Sequence, residues 1–573
     1  MKEFRSATQI LFGFLPEQTA DLDGRIWKVT EWRHPKREHI DTGALVRELL
    51  KQIRPWEAAN TDSNFAKYLR QGRDIAVYSL DTRNGVNTEM FPQVWVCRTA
   101  SCSRVYFRSV ETCKCGSKRF GQLPFVGYHE CGALRAPYVR SCPTHRDLKI
   151  VLPGTTALSE IVFKCPECNV VVQKGLGFTP CGCGNGNLKY NVHRASPVYT
   201  PRTVVVVNAM SVDAARRLNE GAGPERALNW VLSSMSTKRY DEADLTADAL
   251  IQDLRAKGLP EAAIQAMVDA AVGAGGLKQG SMQVTLPAGV RERAVGEAVT
   301  VATATETSRV RLEDLTAGAS RDAWSERSNT YRHHYPKALE RCGLEAVDLV
   351  EKFPVLTGNF GFTRESGQPG KSALRPFRVG MNYAVYADVS ETEALFVRLR
   401  PSRVAAWLRA QGHVMEDWND ERTARLAVLR ATSIPEAGDE PPTATAGSAL
   451  LTLVHSYAHR FIRRAAVFAG IDRNALSELV VPHHLGFFVY AAARGDFVLG
   501  GLQAVFETEL HHLLHDIAGE EHRCPLDPGC QQSGGACMAC LHLGEPSCRY
   551  YNRFLDRMVL FGAGGFLTPA QTN

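Results

Sequence analysis

Two cysteine pairs, Cys97-x4-Cys102 and Cys113-x-Cys115, are separated by ten residues, and a second quartet, Cys165-x2-Cys168 and Cys181-Gly-Cys183, by twelve. Tetrahedral zinc takes four soft donors at about 2.3 Å, and two close pairs joined by a hairpin deliver four thiolates with little chain. Four thiolates leave no open coordination position, so both quartets are expected to bind a structural metal rather than to catalyse. Gly116, Gly182 and Gly184 suit the sharp turns that would aim neighbouring thiolates at one ion.

Between the quartets lie His129, Cys131, Cys142 and His145, a His-x-Cys followed by a Cys-x2-His. They could close a third site, or form a packed cysteine pair with surface histidines. Five further cysteines, Cys524, Cys530, Cys537, Cys540 and Cys548, exceed by one the needs of a single tetrahedral ion, and Cys537-Met-Ala-Cys540 is the clearest half of that site. Cys342 stands alone. Disulfides would be the competing explanation, but no signal peptide is expected, and reduced thiols follow in a cytoplasmic setting.

The chain must supply scaffolding for these clusters. At 573 residues it is long enough for three or four domains; it is 44% hydrophobic and 22% charged, with a formal net charge of +6. That mild basicity permits nucleic-acid contact without demanding it. No apolar run approaches the roughly 18–20 residues of a membrane span. A cytoplasmic protein with no membrane association is expected.

The expected fold class is α+β and multidomain, with zinc-ribbon modules in the N-terminal half, a helical middle, and an α/β C-terminal domain capped by a Cys-rich zinc site. Residues 1–90 read as a mixed α/β region with a strand at Ile26–Val29 and a helix near Ala44–Ile53. Residues 91–195 form the zinc-ribbon region, entered by Val94–Val96. Residues 196–300 begin with a β-branched strand at Thr203–Val207 and continue as a helical insertion. There Ala247, Leu250, Ile251 and Leu254 share a helix face, Pro260 opens the next helix, and 273–300 reads as a mobile connection. A mixed α/β middle, 301–433, precedes a linker rich in Pro, Thr, Ala and acidic residues at 434–449. Residues 450–573 then start with a helix carrying Leu451, Val454, His455, Ala458 and Ile462 on one face, followed by strand-like Gly486–Ala491 and a second helix over 502–518.

Catalytic patterns are weak. Gly370-Lys371-Ser372 resembles the end of a phosphate-binding loop, but Glu365 occupies the first glycine position and Pro369 removes an amide donor. A loop is expected there. Glu507, His511 and His515, four residues apart, could chelate a metal or simply form the solvated face opposite Leu510, Leu513, Leu514 and Ile517. His455 reads as a satisfied core histidine. His459, Arg460, Arg463 and Arg464 could touch a phosphate backbone or form a plain charged face, and Lys114, Lys118 and Arg119 are basic positions near the first quartet that could meet phosphates. No Ser-His-Asp arrangement is identifiable.

Three segments carry a resemblance: Leu451-Thr-Leu-Val-His455 with Gly500-Gly501-Leu502; Cys524-Pro-Leu-Asp-Pro-Gly-Cys530; and Gly535-Ala-Cys537-Met-Ala-Cys540-Leu-His-Leu-Gly-Glu545-Pro-Ser-Cys548 followed by Asn552-Arg-Phe-Leu-Asp-Arg557. They resemble the C-terminal zinc-binding domain of MrfA-type DNA helicases. Arg5-Ser-Ala-Thr-Gln9 with Phe12-Gly13 resembles the opening of DrmB-type proteins of the DISARM anti-phage defence system. The resemblance implies a DNA-associated, antiviral, non-ATPase subunit that binds a DrmA-like helicase and assists its engagement of DNA. It also implies zinc at Cys530, Cys537, Cys540 and Cys548, with Cys524 the competing ligand. Unlike the helicases, the chain carries no phosphate-binding loop and no Asp-Glu-x-[His/Asp] box, so no ATPase activity is expected. A metal-dependent nuclease or hydrolase, using Glu507, His511 and His515 or His455 and His459, is the alternative.

Overall fold

The computed structural model describes residues 10–207, 212, 216, 223–239, 250–251, 254–255, 257–273, 285–319, 326–435, 444–492, 499–519, 523–544, 547–548 and 550–568, except positions 12, 62–63, 81–83, 156 and 306–307. The chain is mixed α/β and divides into two compact units, 1–209 with 356–389, and 210–355 with 390–573. Two of the three divisions, at 355/356 and 389/390, fall inside long strands, Leu344–Thr363 and Asn382–Leu399. The units therefore cut across the consecutive segments expected from composition, because a strand that serves two units leaves no linker to mark a boundary.

In the first unit, the helix Gly43–Ala58 buries Leu45, Leu49, Ile53 and Trp56, a stripe at helical spacing. That stripe packs on Val204 and Val206 of the strand Thr200–Val207, and on Leu356, Phe360, Tyr383 and Val385. Each fully buried side chain of this kind contributes roughly 1.5–3 kcal/mol. Ala384–Tyr386 pair in parallel with Ala76–Tyr78. Residues 93–192 are built differently: three small three-stranded sheets around a core of Val94, Val105, Leu148, Ile150, Ile161 and Phe163.

In the second unit, Ala394–Arg398 pair antiparallel with Gly486–Tyr490, and Gly486–Ala491 with Leu476–Val481. Packed against these strands is the 24-residue helix Ala446–Ala469, started by the Thr445 hydroxyl accepting from the Ser448 amide and ended by Gly470 at φ +66°. Its middle is buried on every face, from Leu450 through Ile462, apart from Thr452 and Arg460. A chain that covers one side of a helix with strands and the other with a C-terminal segment leaves no face for solvent.

Several expectations change. The linker read at 434–449 is bounded by structure: Ile434 is buried and its carbonyl accepts from Arg293, and the helix begins at Ala446; positions 436–443 lie outside the described residues. Residues 288–300, inside the expected mobile connection, belong to the helix Ala288–Thr305, which buries Val290, Ala294, Ala298 and Val301. Small side chains hide that stripe, since alanine contributes little to hydrophobic contrast. Ala247 lies outside the described residues, whereas Leu254 is buried with Ile264 and Val268, and a helix does start just after Pro260, at Glu261–Gly273. The helix expected over 502–518 is interrupted by a π-turn at Val505–Glu509. Among the described residues no helix is long and apolar enough to cross a membrane.

Candidate metal centres

All sixteen cysteines are free thiols, and fifteen of them converge in five groups of potential metal ligands. In the first unit these are Cys97, Cys102, Cys113 and Cys115; His129, Cys131, Cys181 and Cys183; and Cys142, His145, Cys165 and Cys168. The second unit holds Cys524, Cys530, Cys537 and Cys540, and, separately, Cys548 with His455, His459 and Glu478. Cys342 stays apart, buried and donating to the Leu514 carbonyl.

The first group is assembled by strand pairing. Trp95–Cys97 lies between Val105–Tyr106 and Phe120–Gln122, with Cys97 opposite Phe120. Sulfur separations are 3.7 Å for Cys97–Cys115 and 3.5 Å for Cys102–Cys113. Four sulfurs at about 2.3 Å from one ion would be about 3.8 Å apart, whereas a disulfide needs about 2.05 Å. The spacing fits a shared ion.

The next two groups are nested, one between the halves of the other, which corrects the pairing read from spacing. Cys165 and Cys168 do not join Cys181 and Cys183, and His129, Cys131, Cys142 and His145 do not form one site. Instead the strand Phe125–Tyr128, which runs into His129, pairs with Lys189–Val192, which follows Cys183, so that Tyr128 opposes Lys189. Likewise Lys149–Val151, just after His145, pairs with Val162–Lys164, just before Cys165. Each half-site therefore closes with a partner brought up by a sheet rather than by its nearest neighbour in sequence. Cys131 and Cys181 sulfurs are 3.5 Å apart and His129 Nδ1 is 3.5 Å from Cys183 Sγ. In the other group His145 Nδ1 lies 3.7 Å from Cys142 Sγ and 3.6 Å from Cys165 Sγ.

A local device recurs in all six half-sites of this unit: the residue after the second ligand has a positive φ. These residues are Ser103, Gly116, Gly132, Arg146, Asn169 and Gly184. Main-chain bonds close the turns, for example Gly116 N–H to Cys113 O at 2.8 Å and Gly184 N–H to Cys181 O at 3.0 Å. Two arginines that no motif singles out join the His129–Cys131 half-site to its scaffold. Buried Arg364 donates to the carbonyls of Gly132, Val198 and Glu17, and Arg375 Nε donates to the Cys131 carbonyl at 2.6 Å. Asp147, beside the third group, takes Arg104 at 3.1 Å and Lys114 at 2.9 Å. Lys114 is thus engaged, while Lys118 and Arg119 are exposed.

In the second unit Cys524 takes the fourth place beside Cys530, Cys537 and Cys540, with Cys524–Cys537 at 3.5 Å and Cys530–Cys540 at 3.7 Å. Cys548, expected there, lies instead in the interior with two histidines. The cause is the path of the chain, which carries residues 547–548 past the strand Leu476–Val481, where Glu478 N–H donates to Ser547 O.

The donor types fit a borderline-soft metal, and the thiols by themselves would be mismatched. Burial pushes Cys102 up to about 12, while the Ser117 amide, ahead of the neighbouring thiols, holds Cys115 at about 6. A bound cation is what would let all four stand as thiolates.

The other candidates do not assemble. Glu507 accepts from Gln503 Nε2 at 2.8 Å, His515 Nδ1 lies 3.2 Å from Arg341, and His511 stacks beside His512. Among the described residues no ligand group contains them. Gly370-Lys371-Ser372 lies in a turn that leads to the short strand Arg375–Pro376, with no helix after it, and its serine hydroxyl accepts from Gly367 N–H. Arg460, Arg463 and Arg464 line one cleft of the second unit with Asp472, Arg473, Arg523 and Arg557; Arg464 pairs with Asp516 at 3.2 Å and Arg557 with Asp527. Arg463 donates to the carbonyls of Met538, Ala539 and His542, which orient its guanidinium without neutralising it. His459 is buried beneath this face and not part of it.

Residues 6–203 match a protein family described as a domain of unknown function, DUF8724. The chain is also similar to the DISARM protein DrmB of Bacillus paralicheniformis, 25% identical over 181 residues. That similarity covers 29% of this chain and 31% of the Bacillus protein, so it spans less than a third of either. A DrmB-like relationship is supported over that portion.

Proposed function

We propose that this chain is a zinc-stabilised, non-ATPase subunit of a DISARM-type antiviral defence complex, which binds a DrmA-like helicase and assists its engagement of DNA. The similarity to the DISARM protein DrmB carries this reading. The metal groups support it: those of the first unit act as zinc ribbons, rigid hairpins that present a surface with little core of their own. Cys524, Cys530, Cys537 and Cys540 hold the zinc of a C-terminal domain of the kind found in MrfA-type helicases. Each of these groups offers four protein donors, which suits structure and leaves no position for a reacting water. The arginine cleft, in which Arg464 pairs with Asp516 and Arg557 with Asp527 while Arg463 is held by carbonyls alone, supplies a phosphate-binding face within the same unit.

The test is co-purification with the helicase encoded alongside, with ATPase measured on each component and on the complex, with and without DNA. A stable complex in which only the helicase hydrolyses ATP, more rapidly on DNA when this chain is present, is the expected result. Metal-dependent DNA cleavage by this chain alone would overturn the proposal in favour of a nuclease. If DNA binds the cleft, Arg463→Ala with Arg473→Ala should flatten the plot of log affinity against log salt, by about 0.9 for each phosphate no longer neutralised.

A further inference from the structure

His455 and His459 sit one turn apart on the helix Ala446–Ala469, Glu478 lies in the strand Leu476–Val481, and Cys548 belongs to the C-terminal segment. His455, His459 and Glu478 are wholly buried and Cys548 is 3% exposed. Nothing at this depth can borrow water, so every donor and acceptor needs a partner inside the protein.

The backbone fixes which atoms face inward. His455 Nδ1 lies 3.2 Å from the Phe554 carbonyl and His459 Nδ1 2.9 Å from the Leu541 carbonyl. A carbonyl only accepts, so both Nδ1 atoms carry a hydrogen, and each ring turns Nε2 toward the other two side chains, where a neutral ring presents a lone pair. His455 Nε2 is 3.0 Å from Glu478 Oε1 and 3.3 Å from Cys548 Sγ. His459 Nε2 and Glu478 Oε2 are 3.5 Å apart, and neither has a hydrogen-bond partner. Four potential ligand atoms, one from each side chain, thus converge within 4.8 Å of one another.

We infer that His455, His459, Glu478 and Cys548 form a closed zinc site, separate from the four-cysteine group of the same unit. Two imidazoles, one carboxylate and one thiolate are all ordinary zinc ligands, and bonds of about 2.0–2.3 Å place neighbouring donors roughly 3.3–3.6 Å apart, beside 3.0, 3.3 and 3.5 Å here. One ion meets all four donors at once, including the two atoms left unpaired. Hydrogen bonds from both Nδ1 atoms to carbonyls are the outer-shell arrangement that orients ligating histidines. The Asn552 amide, 3.2 Å from Cys548 Sγ, donates to the thiolate from outside. Four protein donors and complete burial leave no entry for substrate, so the ion joins the long helix, the sheet and the C-terminal segment.

Zinc content of the full chain, counted by native mass spectrometry and elemental analysis, tests the site. Five zincs per chain are expected, falling to four in Cys548→Ala, to four in His459→Asn, and to four in the double variant, since both changes empty the same site. Unchanged zinc in both single variants would overturn the assignment and leave protons as the buried counter-charge. Should the variants fail to fold, the parent count decides: five supports the site, and four or fewer overturns it.

Discussion

The guanidinium of Arg425 reaches both carboxylate oxygens of Glu345 through a single nitrogen, Nη2 lying 3.0 Å from Oε1 and 2.8 Å from Oε2. Arg398 adds a third interaction at 3.3 Å, and Arg425 is wholly buried. Burial alone would raise the carboxyl of Glu345, but the charges of Arg425 and Arg398 overcome it and hold the pKa at about 2. A lowered folded-state pKa contributes stability that is present above the unfolded value of about 4.3 and is lost as pH falls toward 2. The contribution is on the order of 3 kcal/mol. Glu345→Gln should remove it, leave Arg425 without its counter-charge, and lower stability near neutral pH by about 3–5 kcal/mol. Chemical denaturation at pH 7, 5 and 3 checks this: the gap between parent and variant should narrow as the pH drops. A constant gap would refute the assignment.

Metal removal should unfold what metal holds. Residues 93–192 have three small sheets and a modest core, so binding energy there is folding energy. Chelation is expected to abolish their ordered structure while the helix Gly43–Ala58 and its packing survive. Hydrogen exchange resolved by segment would show it, and equal protection before and after complete zinc loss would count against it.

The nested pairing makes a stoichiometric prediction. Cys142→Ala and Cys168→Ala disable one group, so the double variant should lose a single zinc. Cys168→Ala with Cys183→Ala disables two groups and should lose two. Pairing in sequence order would reverse both outcomes.

Gly447, in the first turn of the long helix, has no room for a side chain. A Cβ there would fall 1.8 Å from the Ser433 carbonyl oxygen, a backbone atom that cannot swing aside. Gly447→Ala should destabilise the second unit by about 1–3 kcal/mol or more, read as an earlier thermal transition. Ser448→Ala, at an adjacent position, leaves that close approach untouched and serves as the comparison.

Much of the local structure was legible. The helix near Ala44–Ile53, the β-branched run ending at Val207 and the strand Gly486–Ala491 all stand where the sequence put them. The strands Leu344–Thr363 and Asn382–Leu399 were not, because each passes through two environments and shows no single alternation along its length. The helix Ala288–Thr305 escaped notice because alanine and glycine mask its buried face.

The metal sites divide along the same line. Residue type and spacing determined the half-sites: a pair of ligands close in sequence, followed by a residue that accepts positive φ, is a local turn and needs nothing distant. Which half-sites come together as one group of potential ligands was decided by tertiary structure alone. Coordination closes between chain segments, and sheet register set His129 and Cys131 against Cys181 and Cys183. The same holds more strongly for His455, His459, Glu478 and Cys548, whose donors come from a helix, a strand and a C-terminal segment up to 93 residues apart. Only packing that excludes water turns those four ordinary side chains into one set of inward-facing lone pairs.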